Sequence, residues 1–313
     1  MTIDHKFIDQ FVNVTSKAAV ASYNLIGKKD KIAADKATVD SMRNNLNQLN
    51  IKGKIVIGEG ELDEAPMLYI DEEVGTRNGP EIDIAVDPLE GTNFAANNLP
   101  GALSVIAIAE KNNLFNAPET YMEKISANVN EKGVVDLDYS TKENIFNLCE
   151  YLNKKPESIT ACIMDRPRHK DIIDELNILG VKVKLITDGD VSGALLVTDD
   201  KYGVDIFLGI GGGPEGVLAA AALDTFECSF QGRFLFHTEK DKRSAKRMGI
   251  TNLSKKYELN EIAKGDTIFC ATGITSGDLV SGIRTKNNEF ITETLVTHKS
   301  TGLKKIIKKV ENR

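Results

Sequence analysis

The chain reads as an α/β fold, and three observations say so. Short apolar runs of strand length alternate with stretches of helical periodicity through the second half. Several of those runs end in a polar turn that contains glycine, the pattern of strands whose carboxyl ends face a ligand. Hydrophobic residues make up 41% and charged residues 27% of 313 residues, an ordinary globular composition with length for two domains or one large one.

From the amino end, Phe7, Ile8, Phe11, Val14, Ala18, Ala19, Leu25 and Ile26 fall at helical spacing within 4–26, and Gly27 ends the stretch. A second helix is predicted from Ala33 to Leu49, with Val39, Met42, Leu46 and Leu49 on one face, then a strand from Lys54 to Ile57. An acidic loop, residues 58–66, precedes strands at Ile82–Val86 and Ser104–Ala109. Residues 141–153 read as a helix, and Lys154-Lys155-Pro156 marks a boundary. The expected domains are therefore 1–155, carrying metal and phosphate residues, and 156–313, carrying sugar-phosphate loops. The second half alternates: strand Ile159–Met164, helix His169–Leu179 capped by Gly180, strand Val181–Ile186, helix Asp190–Val197, strand Val204–Leu208, helix Pro214–Leu223. Ile268–Ala271, Glu289–Val296 and Leu303–Val310 read as β structure.

Charge and composition exclude several function classes. A net charge of −7 argues against a nucleic-acid binder. It also means that a phosphorylated substrate needs cations or local Arg and Lys to invert the field. The amino end is polar and of mixed charge, unlike a signal peptide, and the longest apolar stretch, near Val217–Leu223, is far short of the roughly 20 residues that span a bilayer. The expectation is a soluble cytoplasmic protein without membrane or nucleic-acid partners. Cys149, Cys162, Cys228 and Cys270 stand singly, which fits a reducing compartment and no disulfide framework.

The chemistry concentrates in Asp87-Pro88-Leu89-Glu90-Gly91-Thr92, directly after an apolar strand. Two carboxylates three residues apart suit a hard cation, and a Gly-Thr step lets a phosphate approach backbone N–H groups while supplying a hydroxyl. Thr92 also reads as a helix N-cap, which is compatible with orienting water. Glu59 sits among four carboxylates in the acidic loop; alone that loop reads equally well as a solvated surface segment, and Asp87 and Glu90 at the neighbouring strand end tip the balance towards a metal site. Asp188-Gly189-Asp190 reads as a turn and N-cap or as a grip on sugar hydroxyls. Arg166-Pro167-Arg168-His169 is basic against an acidic background and suits bidentate phosphate contacts. The glycine-rich run from Gly209 to Gly213, then Pro214-Glu215-Gly216, lacks the dinucleotide spacing and reads as close substrate approach. Glu215 is either a metal ligand or a complement to the helix dipole. Tyr121 alone reads as a half-buried packing residue.

The turn Asp-Pro-Leu-Glu-Gly-Thr resembles the signature of the metal-dependent, lithium-sensitive sugar phosphatases. The segments 57–69, 116–124, 188–191, 209–217 and 271–275 narrow the resemblance to the class II bacterial fructose-1,6-bisphosphatases, over about residue 4 to the C-terminus. The resemblance implies a layered αβαβα architecture in two α/β halves. It implies hydrolysis of fructose 1,6-bisphosphate to fructose 6-phosphate, a gluconeogenic step, with Mn²⁺ or Mg²⁺ as cofactor. It puts one metal on Asp35 and Glu59 and a second on Asp87, Glu90 and Glu215. Glu90, Gly91 and Thr92 then touch the scissile phosphate, and Tyr121, Arg166, Pro167, Arg168, Asp188, Gly189, Asp190 and Gly212 touch the substrate. Thr92, Asp35 and Glu59 are the expected catalytic residues, the partner is a small sugar bisphosphate, and a homo-oligomer is expected. A sister phosphatase acting on other sugar, inositol or sedoheptulose phosphates, and a non-catalytic sugar-phosphate sensor, are the alternatives.

Overall fold

The computed structural model describes residues 3–58 and 68–313. The chain divides into two compact units, one formed by residues 1–116 and 263–313, the other by 117–262. The division expected at 155/156 is corrected: Pro156 opens a short 3₁₀ turn inside the second unit, and the carboxyl-terminal strands return to the sheet of the first. Contiguous halves were the wrong expectation because strand pairing ignores sequence distance.

In the first unit come α1 (Phe7–Ala21), α2 (Lys31–Leu46), β1 (Lys52–Ile57), β2 (Glu73–Val74), β3 (Glu81–Glu90), α3 (Thr92–Asn97) and β4 (Leu103–Glu110). In the second come β5 (Tyr121–Ala127), α4 (Thr141–Leu152), β6 (Thr160–Met164), α5 (Lys170–Ile178), β7 (Lys182–Ile186), α6 (Asp190–Leu195), β8 (Ile206–Gly212), α7 (Gly213–Phe226), β9 (Ser229–Leu235), α8 (Glu239–Arg247), β10 (Lys256–Glu258) and α9 (Leu259–Ile262). The chain then re-enters the first unit with β11 (Thr267–Gly273), β12 (Arg284–Lys286), β13 (Glu289–His298) and β14 (Leu303–Asn312).

The first sheet runs β12-β13-β11-β4-β3-β1-β2, with β14 on β13. Its pairs are antiparallel except β1 with β3. Helix α1 covers it because Phe7, Ile8, Phe11, Val12, Thr15, Ala18 and Ala19 recur at helical spacing and are all buried. Phe11 is fully buried, a burial that stabilises by about 2–3 kcal/mol. Several buried hydroxyls there pair with one another: Thr272 Oγ1 donates to Thr15 Oγ1 at 2.7 Å and lies 2.7 Å from Thr294 Oγ1, and Ser16 Oγ lies 2.6 Å from Thr292 Oγ1.

The second sheet runs β10-β9-β5-β8-β6-β7 and is mixed: β6 is parallel to β7 and β8, while β5 is antiparallel to β8 and β9. Both units are thus α/β with mixed sheets rather than strictly alternating parallel ones. Two elements run on where the sequence suggested a loop. β3 continues through Asp87-Pro88-Leu89 to Glu90, and β8 includes Gly209, Gly211 and Gly212, paired along β5. Strand β5 was not expected, since Tyr121, Met122, Glu123 and Lys124 mix polar and apolar residues on both faces.

Candidate active site

In the first unit, Asp87 pairs with Val105 and Glu90 with Leu103, so β3 carries one extra residue against β4 between them. Pro88, which has no N–H to give the ladder, sits in that bulge. The bulge sets the two carboxylates at the strand's end: Glu90 is buried at 5% exposure and Asp87 is half-buried. Gly91 follows with φ 76°, a left-handed conformation, and a Cβ there would meet Phe94 Cδ2 at 2.8 Å. Gly91, not Thr92, is therefore the N-cap; Thr92 is the first helical residue of α3 and half-buried. Gly91 O accepts from Phe94 N (2.9 Å) and Ala95 N (3.1 Å), which fixes the turn.

Asp35 lies in α2, whose first turn is capped by Asp30 accepting from Ala33 N at 2.9 Å. Its neighbour Ala34 is fully buried in one cluster with Leu89, Phe94 and Ala95, so the amino end of α2 packs beside the turn. Asp35 is half-buried. Glu59 lies outside the described residues. A cleft of about 350 Å³ lined by Lys52, Lys54, Arg77 and Lys111 sits at the other end of β1 and β3 and holds none of the expected site residues.

In the second unit, Tyr121 opposite Gly212 in the β5–β8 register brings two expected substrate contacts together. The Arg168 guanidinium lies 4.9 Å from the Tyr121 ring centroid, a cation–π arrangement, and its Nε and Nη2 donate to Ile210 O at 3.0 and 2.7 Å. Arg166 is half-buried and gives Nη1 to Asp165 O at 2.9 Å; Pro167 opens the 3₁₀ turn that carries Arg168. Gly189 (φ 83°) is the N-cap of α6, its N–H pointing to Asp188 Oδ1 at 3.2 Å, and Asp190 is buried at the first helical position. The carboxylates lie hard against the glycine strand. A Cβ on Gly211 would stand 1.9 Å from Asp190 Oδ2, and one on Gly212 1.8 Å from Glu215 Oε2.

Glu215 Oε2 is buried with no hydrogen-bond partner. Burial pushes the Glu215 carboxyl above its ordinary range, Lys124 draws it down, and Asp190 and Asp188 push it up. A cation would favour the ionised form that burial opposes, and an unpartnered carboxylate oxygen is suited to a hard divalent ion, as are the other oxygen donors expected here, so the donor chemistry fits Mg²⁺ or Mn²⁺. Among the described residues, no three carboxylate, imidazole or thiol groups gather closely enough to form a complete cation cage.

Two residues of this region have roles that the sequence did not show: His169, read only as part of a basic run, and Lys124. His169 is fully buried; its Nδ1 lies 2.7 Å from Met164 O, and Nε2 accepts from Ile210 N at 2.8 Å. The Nδ1 proton is thereby assigned by its carbonyl partner. With Arg168 on Ile210 O, both polar groups of that residue are clamped. Burial holds the His169 pKa below the ordinary value, helped by Arg168 and opposed by the Met164 hydrogen bond and by Asp190. The folded state therefore favours neutral His169. Its contribution is complete above the ordinary pKa of about 6.5 and is withdrawn as pH falls through that value towards the lowered one. Urea unfolding at about pH 7.5 and pH 5.5 is expected to show lower stability in acid, and His169→Asn to shrink that difference while costing roughly 1–3 kcal/mol at the higher pH. An undiminished difference in the variant would assign the acid sensitivity elsewhere.

Lys124 is the other. It is 2% exposed, forms an ion pair with Asp190 Oδ2, and donates to Gly212 O at 2.7 Å. In the sequence it stood only as the last residue of the 116–124 segment; β5 shows it to lie on the inward face between Met122 and Ser126.

Comparison with known proteins gives the family. Residues 5–311 match the family model described as bacterial fructose-1,6-bisphosphatase, glpX-encoded. A D-fructose 1,6-bisphosphatase class 2/sedoheptulose 1,7-bisphosphatase from Synechococcus sp. (strain JA-3-3Ab) is 42% identical over 94% of this chain and 92% of its own length. Fructose-1,6-bisphosphatase 1 class 2 from Escherichia coli (strain K12) is 44% identical over 92% of this chain and 89% of its own. The solved inositol monophosphatase from Anabaena aligns at 12% identity over 62% of this chain and 71% of that one, with a TM-score of 0.32; the α/β assignment rests on the two mixed sheets themselves. A match spanning almost the whole chain, carried through the Asp87–Thr92 turn and the Gly209–Gly216 segment alike, means that the chain belongs to the family of glpX-encoded bacterial fructose-1,6-bisphosphatases.

Proposed function

We propose that this phosphatase hydrolyses fructose 1,6-bisphosphate to fructose 6-phosphate and phosphate by direct in-line attack of water. The observation that carries the reading is the end of β3, where a one-residue bulge, two carboxylates, a left-handed glycine and a threonine follow one another in a chain of this family. Asp35, Glu59, Asp87, Glu90 and Glu215 are the proposed ligands for Mn²⁺ or Mg²⁺. What such a cation supplies when bound is polarisation of the phosphoryl oxygens and a more acidic attacking water.

The chain's own groups do the rest. Gly91, without a side chain, leaves the backbone open to the phosphate beside Glu90. The Thr92 hydroxyl orients the water, with Asp35 and Glu59 as the carboxylates proposed to assist it. Arg166 and Arg168 offer guanidinium donors for the phosphate that is kept, with Pro167 fixing their turn. Tyr121, Asp188, Gly189, Asp190 and Gly212 address the sugar. No cysteine or histidine nucleophile is invoked: the four cysteines are buried and unbridged, and His169 is spent on Met164 and Ile210.

The test is phosphate release from fructose 1,6-bisphosphate by metal-stripped protein, with Mn²⁺, Mg²⁺ or neither added back. Strong release only with metal is expected, and silence with every metal from folded protein would overturn the reading. Thr92→Ala is expected to lower kcat by about 10²-fold with KM changed far less; near-normal turnover would remove Thr92 from the mechanism. One relative's name couples fructose and sedoheptulose bisphosphatase activities, so sedoheptulose 1,7-bisphosphate is proposed as a second substrate for the same assay. The proposal includes a cytoplasmic setting, which unbridged cysteines suit, and a homo-oligomer. Among the described residues no helix is long and apolar enough to cross a membrane.

A further inference from the structure

We propose that Lys124 is a positioning residue for sugar recognition, holding the Asp190 carboxylate and the Gly212 carbonyl in the arrangement that meets the substrate's hydroxyls. The inference rests on the proposed function in one respect, that Asp190 and Gly212 face the sugar.

The side chain is placed where stability alone would not put a cation. Met122, Lys124 and Ser126 point from β5 to the helices behind it. Ser126 Oγ donates to Ala194 O of α6 at 3.2 Å, and a Cβ on Gly216 of α7 would lie 2.5 Å from Met122 Sδ and 3.4 Å from Lys124 Cδ. Lys124 therefore sits beneath the amino ends of α6 and α7. Those ends carry partial positive charge, so an ammonium there is repelled by both. It is also stripped of water at 2% exposure, a heavy cost that a single buried ion pair recovers poorly. What the placement gains is order. Its Nζ joins Asp190, the first residue of α6, to Gly212, the residue before α7.

A second observation is independent of the ammonium. Asp190 Oδ2 lies so close to Gly211 that a Cβ would fall 1.9 Å away, so the glycine strand is the wall against which Lys124 holds the carboxylate. Neutralising the charge frees Asp190 to rotate and frees the Gly212 carbonyl at the same time. Lys124 reaches the substrate only through these two groups and donates no proton to it.

The experiment is calorimetric titration of fructose 6-phosphate into the wild type, Lys124→Met, Asp190→Asn and the double variant, with melting curves for each. Lys124→Met is expected to weaken binding by about tenfold or more, the loss typical of a charged hydrogen bond removed from a buried site. Because Lys124 acts through Asp190, the double variant is expected to bind no more weakly than the worse single one. If Lys124→Met does not fold, Lys124→Gln keeps an N–H donor for one of the two acceptors and is expected to bind with an intermediate constant. A folded Lys124 variant that binds within twofold of the wild type, or losses that add in the double variant, would overturn the proposal. Wild type that binds fructose 6-phosphate yet releases no phosphate from fructose 1,6-bisphosphate sinks the hydrolytic reading and leaves Lys124 to be judged by binding. Wild type that does not bind the sugar phosphate overturns both.

Discussion

Asp87→Asn is expected to cut metal-dependent phosphate release by about 10²–10³-fold, the range lost when one preorganised charge-stabilising group is removed from an active site. The substitution is nearly isosteric, and Asp87 is only half-buried, so the β3 bulge and its pairing with β4 should persist. The melting temperature is therefore expected to stay within a few degrees of wild type. The loss should be recovered in part by raising the metal concentration, because one oxygen donor remains while its charge is gone. Release measured across a metal titration separates the outcomes. Full activity at low metal would remove Asp87 from the ligand set; a lost fold would make it a structural residue of the bulge.

Gly212→Ala should damage function as severely while sparing the fold. Gly212 has φ −70° and ψ 144°, extended backbone open to any residue, so alanine brings no strain of its own. Its Cβ would, however, fall 1.8 Å from Glu215 Oε2. The flexible end of Glu215 yields rather than the strand, and the proposed metal ligand leaves its place. The expected result is a kcat/KM lower by about 10²-fold or more, with urea unfolding almost unchanged. Gly209→Ala supplies the contrast. With φ 141° it needs glycine, and the added Cβ would meet His169 Nε2 at 3.1 Å, so this variant is expected to lose about 1–3 kcal/mol of stability. If the two variants behaved alike, the division between a steric effect on a ligand and strain in the backbone would be wrong.

What the sequence made legible followed from how locally each feature is encoded. Strands β1, β3, β4, β6, β7 and β11 announced themselves as apolar runs, β13 and β14 as β structure with a basic solvent face, and α1, α2, α4, α5, α6 and α7 as helical stretches, most of them displaced by a few residues at their ends. Strand β8 was cut short because glycine disfavours strands; here the glycines are what lets Asp190 and Glu215 lie against it. Strand β5 was missed because its inward face carries a lysine, a choice that makes sense only once α6 and α7 are folded over it. Strand β9, helix α8 and the short β10 were passed over too. In the candidate site, the Asp87–Thr92 turn and the Asp188–Asp190 turn stood out by composition, whereas Asp35 came from family resemblance alone. The structural roles of His169 and Lys124 are not legible in one dimension, since each acts through backbone atoms brought to it by distant strands.

The return of β11 to β4 bears on how this chain is made. Residues 117–262 form a contiguous unit and have every strand of their sheet in hand as soon as they are synthesised. The first unit does not. Its β4 pairs with β11 over Leu103–Ala109 against Thr267–Gly273, and until those residues arrive one edge of β4 stands open. That edge is Leu-Ser-Val-Ile-Ala-Ile-Ala, a run with no charge to discourage pairing with another copy. During translation the inserted unit can thus be complete while its host still exposes an adhesive strand, a window in which a chaperone or a slow ribosome decides between native closure and aggregation.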